Sequence, residues 1–155
     1  MRHAKSDWEA DYESDHERPL NDRGVRSARM MGRLLAEEGV VPDLVISSTA
    51  LRARTTAELA IAAGSWETEL HLDRSLYESG PQGVLATGAS APDVDRLMLV
   101  GHQPTWSMLV AGLTGERVEM KTATVAVVEV DVDSWDDLPA AAGSLTRVLG
   151  PRSAG

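Results

Sequence analysis

Apolar positions along this chain follow two spacings, one helical and one extended, and their alternation marks out its elements. After Met1-Arg2-His3-Ala4-Lys5-Ser6, residues 7–17 carry an acid at nearly every second position, which excludes a buried strand and predicts a solvated loop. Helical spacing begins past Asn21. Val25, Ala28, Met31, Leu34 and Leu35 share one face up to Gly39, with Asn21 as N-cap and Asp22 favoured by the positive helix start. Pro42 then introduces Leu44-Val45-Ile46, a short β-branched run typical of a strand covered on both faces, which ends in Ser47-Ser48-Thr49. A helix follows from Ala50 to about Ala63. Leu70 and Leu72 suggest a short strand, residues 76–81 read as a loop, and Pro81 opens a short helix containing Val84 and Leu85. Residues 97–101 repeat the buried-strand pattern, and Pro104 suits the first turn of a helix carrying Trp106, Leu109, Val110 and Leu113. Residues 124–131 form a partly covered strand that 144–149 can pair with across a loop at 133–143. The Pro, Ser and Gly of 151–155 predict a flexible tail.

Strands followed by helices in this order predict an α/β sandwich, expected as one domain over residues 1–150. In such sheets ligands lie beyond the carboxyl ends of the strands. The 155 residues include no Phe, so the core must rest on Leu, Val, Ala, Ile and Met with a few Trp. A net charge of −9 argues against a general nucleic-acid binder, which presents Lys and Arg to phosphates. The absence of cysteine removes disulfides, thiol nucleophiles and thiolate zinc sites. No apolar stretch reads as a membrane span or signal segment, so a cytoplasmic protein, monomeric and away from membranes, is expected.

The chemistry gathers at strand ends. Arg2-His3 pairs a fork of donors suited to phosphate oxygens with an imidazole that can serve as base, ligand or nucleophile. Arg52 falls in the first turn of a helix just past a strand end, where a cation suggests an anionic ligand shared with the helix N-terminus. His102 lies between a strand and a helix start. Arg18 either returns to this site or pairs with its acidic neighbours, and Glu78 is either a surface carboxylate or a proton donor. The histidines His3, His16, His71 and His102 lack the close spacing of metal ligands, so neither a metal nor a cofactor is expected. Two imidazoles and two guanidiniums from three strand-end segments fit phosphoryl transfer through His3, with Arg2, Arg52 and His102 stabilising the transferring oxygens.

Taken together, Arg2-His3-Ala4-Lys5-Ser6, Glu17-Arg18-Pro19-Leu20, Ser47-Ser48 through Leu51-Arg52-Ala53 to Thr56, Leu76-Tyr77-Glu78 and Val100-Gly101-His102-Gln103-Pro104 resemble the histidine phosphatase superfamily, particularly its small SixA-type phosphohistidine phosphatases. The resemblance implies a three-layer α/β/α sandwich with a mostly parallel central sheet, the phosphoglycerate mutase-like fold. It implies His3 as nucleophile, Arg2, Arg52 and His102 as the phosphate pocket, Arg18 as an auxiliary phosphate contact and Glu78 as the position of the proton donor. The expected substrate is phosphohistidine on a protein or, alternatively, a small phosphate ester, with inorganic phosphate as product. A catalytically weak phospho-ligand binding module is the reading of a different class. Family members carry several apolar residues before Arg-His, forming a first strand, whereas only Met1 stands there in this sequence; a chain that begins late or a truncated strand is the expectation.

Overall fold

The computed structural model describes residues 1–154. Helices α1 (Asp22–Glu37), α2 (Leu51–Gly64), α3 (Ser75–Glu78), α4 (Pro81–Ala89) and α5 (Thr105–Thr114) alternate with strands β1 (Leu44–Ser47), β2 (Glu69–Leu72) and β3 (Leu97–Val100). Strands β4 (Val125–Val130) and β5 (Gly143–Leu149) complete the chain's sheets. The central sheet is parallel with order β2-β1-β3, and β4 and β5 form a separate antiparallel pair with an irregularity between Val127 and Val128.

Side-chain alternation along β1 explains the layering. Val45 joins one core with Ala28, Met31 and Leu35 of α1 and Ala53, Ala57 and Ala60 of α2. Leu44 and Ile46, pointing the opposite way, join a second core with Val84 and Leu85 of α4 and Trp106, Leu109 and Val110 of α5. The sheet is thus covered on both faces, giving an α/β/α sandwich. Among the described residues, no helix is long and apolar enough to cross a membrane.

The first residues are held as a short extended segment between the two sheets. The Met1 ammonium donates to the Leu99 carbonyl (2.8 Å), Arg2 pairs in parallel with Gly101, and the His3 N–H donates to the Gly101 carbonyl (3.0 Å). On the other side the Arg2 N–H donates to Thr124 and the Ala123 N–H to the His3 carbonyl, both at 3.0 Å. His3 therefore leaves this ladder beside the carboxyl end of β3. Gly101 has to be glycine, since a Cβ there would lie 2.1 Å from the Trp106 ring.

Several expectations for the loops are corrected. Residues 76–81 are not all loop, because Ser75–Glu78 wind into the one-turn helix α3. The Asp73 carboxylate accepts from the Ser75 N–H (2.9 Å), and it starts this turn as an aspartate does at a helix entrance. The acidic segment and the 133–143 connection contain 3-10 turns at Asp15–Glu17 and Trp135–Ala140. Pro104 precedes α5 as its N-cap. The expected tail is, over Pro151–Ala154, a 3-10 turn lying against α1, and Gly155 lies outside the described residues.

Candidate active site

At the carboxyl ends of β1 and β3 the fold forms a cavity of about 310 Å³ whose walls include Arg2, His3, Trp8, Arg18, Arg52 and His102. Each arrives from a different local structure. His3 is set by the extended segment, and the Ala4 N–H that follows donates to Thr56 Oγ1 (2.9 Å), whose hydroxyl donates to the Arg52 carbonyl (2.7 Å). Nucleophile loop and first turn of α2 are thereby tied together. A larger groove of about 1010 Å³ lies between β3 and the β4–β5 pair, but its walls are mostly aliphatic with acids such as Asp95 and Asp131, and it holds none of the expected site residues.

The imidazole of His3 is buried, and its Nδ1 lies 2.6 Å from the Ala4 carbonyl. A carbonyl can only accept, so Nδ1 carries the proton and Nε2 keeps a lone pair. Burial, followed by the nearby charges of Arg52, Arg2 and Arg18, lowers the His3 pKa to about 4 against the opposing bond to Ala4. The ring is consequently neutral and nucleophilic at pH 7.

The His102 ring centroid lies 5.3 Å from that of His3, and its Nε2 lies 2.8 Å from Ser48 Oγ. Ser48 Oγ already accepts from the Ala50 N–H (3.1 Å) and has one proton to give. It also keeps a second lone pair, so the hydroxyl can donate to a bare Nε2 or accept from a protonated one, and either tautomer of His102 satisfies this contact. Burial, then the charges of His3 and Arg52, lower the His102 pKa to about 3, with Asp15 partly opposing.

The guanidiniums are fixed mainly through their Nη atoms. Arg2 Nη1 donates to the Met120 carbonyl (3.1 Å). Arg52 donates from Nη1 to the Asp15 carbonyl (2.7 Å) and from Nη2 to Asp15 Oδ2 (3.0 Å). Arg18 donates from Nη2 to Asp15 Oδ1 (2.9 Å) and from Nη1 to Ser6 Oγ. Among the described residues, the buried side-chain polar atoms without a partner are Arg2 Nε, Arg18 Nε, Arg52 Nε and His102 Nδ1. Buried donors are normally satisfied. Three guanidiniums that share one cavity against one carboxylate leave an excess of positive charge, which fits a ligand with several acceptor oxygens.

The structure brings His3, Arg2, Arg52, His102 and Arg18 together as expected, and resolves the alternatives for Arg18 by giving it both an acidic neighbour and a place in the pocket wall. It does not bring in Glu78. One turn of helix places Arg74 and Glu78 on the same face, and Arg74 Nε donates to the half-exposed Glu78 carboxylate at 2.5 Å, away from the cavity lining. Its neighbour Tyr77 reaches the site instead, donating from its hydroxyl to Asp15 Oδ2 (3.0 Å).

Sequence reasoning missed Asp15, Ser48, Thr56, Tyr77 and Trp8. Asp15 was hidden in the acidic run, although its i,i+3 spacing from Arg18 was a usable signal. Burial alone would raise its pKa, but hydrogen bonds from Arg18, Tyr77 and Arg52 prevail and bring it to about 2. At neutral pH it is an anchor for two arginines with no proton to give.

Residues 1–81 match the model of the histidine phosphatase superfamily (branch 1). An uncharacterized protein of Mycobacterium tuberculosis is 34% identical, the match covering 98% of this chain and 100% of the relative. Among solved structures, a protein from Agrobacterium tumefaciens assigned as the phosphohistidine phosphatase SixA is 30% identical, with a TM-score of 0.80 over 97% of this chain and 94% of that one. The protein histidine phosphatase SixA complexed with tungstate superposes with a TM-score of 0.80, covering 100% of this chain and 97% of that one; at 24% identity this likeness shows the fold alone.

Proposed function

Because the chain belongs to the histidine phosphatase superfamily, we propose that it is a metal-independent phosphatase that works through a phosphohistidine on His3, and that its substrate is phosphohistidine on a protein. The observation that carries the first part is the set of three guanidiniums, each with N–H groups beyond those that anchor it, lining one cavity with a neutral His3. The His3 Nε2 lone pair attacks phosphorus in line, a P–N bond forms to His3, and the bond to the substrate's leaving atom breaks with its electron pair. Arg2, Arg18, Arg52 and His102 donate to the equatorial oxygens, supplying fixed positive charge where a metal would otherwise serve. Water then attacks the phosphorus, an O–P bond forms as the P–N bond breaks with its electron pair returning to His3 Nε2, and inorganic phosphate leaves while the water's proton passes to solvent.

The leaving-group chemistry supports the substrate class. Among the described residues, no carboxyl group lines the cavity; Asp15 beside it is held ionised by its arginines, and Glu78 is engaged by Arg74. An alkoxide leaving from a phosphate ester needs a proton in the transition state, whereas the P–N bond of phosphohistidine depends less on a positioned acid. A site poor in acids suits the second.

Incubation with a protein phosphorylated on histidine should give phosphate release and an acid-labile phosphoryl label on His3, neither affected by EDTA. His3→Ala should abolish both while leaving the circular dichroism spectrum intact. Near-normal turnover by His3→Ala overturns the covalent route, and equal or better turnover of sugar phosphates overturns the protein substrate.

A further inference from the structure

Trp8 is 70% exposed, more than the other large hydrophobic side chains at the surface, Leu72, Met108 and Val148. It stands in the wall of the phosphate cavity, and its ring lies over the Arg18 guanidinium with Cζ 3.5 Å from the ring centroid. Arg18 is itself buried and anchored by Ser6 and Asp15, so this stack gives the indole a defined position on an otherwise exposed loop. One face is covered by the guanidinium, and the exposure belongs to the rest of the ring. An aromatic left open beside a polar pocket is where a ligand ring is expected to rest.

The two contacts meet on one residue. Arg18 lines the cavity while its guanidinium carries the indole, so a group bonded to phosphorus is brought beside Trp8.

Resting on the phosphatase reading above, we propose that Trp8 is the platform on which the carrier of the phosphoryl group stacks, and that the site selects planar carriers. The imidazole of phosphohistidine is planar. Sugar rings are not.

Phosphonates test this without turnover, because their P–C bond is not hydrolysed. Calorimetry on the full chain should show phenylphosphonate binding about tenfold more tightly than methylphosphonate, the scale of one ring stacked on an aromatic side chain. Trp8→Ala should bring the phenyl-to-methyl ratio close to one, and Trp8→Phe should restore most of it. Equal affinities in the wild type, a preference that survives in Trp8→Ala, a loss that Trp8→Phe does not recover, or no binding of either phosphonate overturns the platform. Absence of the His3 label with the ring preference intact would instead overturn the phosphatase reading.

Discussion

At the scale of single residues, Asp15 shows how one carboxylate organises a cationic site. Its two oxygens hold Nη2 of Arg18 and Nη2 of Arg52, and its backbone carbonyl takes Nη1 of Arg52, so both guanidiniums are fixed with N–H groups to spare for an anion. Asp15→Asn keeps the size but removes the charge. Less negative charge near the cavity should leave inorganic phosphate binding as tight as before or tighter, while looser guanidiniums lower kcat by about tenfold, since small misplacements of positioning groups are costly. Phosphate inhibition constants and kcat measured together check this; a loss of phosphate affinity in parallel with kcat would show that Asp15 merely keeps the loop folded. Arg52→Ala removes a guanidinium from the cavity wall, and on the proposed mechanism kcat should fall by about a hundredfold. Unchanged kinetics with a lower Tm would make Arg52 structural.

At the scale of elements, the start of α1 positions the nucleophile loop. Asn21 Oδ1 accepts from the Gly24 N–H (2.8 Å), and the Asn21 N–H donates to the Lys5 carbonyl (3.0 Å), so the cap of the helix also holds the strand-end segment that carries His3. A Cβ at Gly24 would sit 2.1 Å from the Lys5 carbonyl oxygen, which is backbone and cannot swing aside. Asn21→Ala should cost about 1 kcal/mol of stability, the usual loss for a removed N-cap, with activity kept largely in place. Gly24→Ala should be worse on both counts: a lower denaturation midpoint, and kcat reduced because the Lys5 segment must shift and His3 with it. Denaturant titration beside steady-state kinetics separates the two, and a Gly24→Ala protein as active as wild type would sever the link between α1 and the site.

At the scale of the whole molecule, the buried neutral imidazoles couple stability to pH. The His3 pKa falls from its ordinary 6.5 to about 4, and that of His102 from 6.5 to about 3, so between these values the unfolded chain binds more protons than the folded one. The histidine contribution is therefore full above about pH 6.5 and declines as pH falls towards 4, by up to about 1.4 kcal/mol per pH unit for each histidine, and the buried Met1 amino group, lowered from 8.0 to about 5, adds a loss of the same sign that begins nearer pH 8. Asp15, held near 2 against an ordinary 3.8, adds its own loss only below that window. Urea titrations from pH 7 to 4 should show this decline, flattened by about one proton in His3→Asn. An identical slope in the two proteins would mean that His3 is not the buried titrating group.

Much of this was written in the sequence because it depends on local spacing. The helical repeat from Val25 to Leu35, the apolar runs at 44–46 and 97–100, and Arg52 and His102 just past strand ends follow from period and position alone, and they fix an α/β sandwich with a cationic site at one edge. Tertiary structure decided what spacing cannot express. The acidic run looked uniformly solvated, yet Asp15 alone meets two arginines that approach from different elements. Glu78 and Tyr77 are neighbours in sequence, and a single helical turn sends one to Arg74 and the other to Asp15. His3 acquired a defined tautomer with a free Nε2 lone pair only when folding placed Nδ1 against the Ala4 carbonyl and removed the ring from water. Residue type and period are properties of the chain, whereas a hydrogen-bond partner and a shifted pKa are properties of what folding brings within 3 Å.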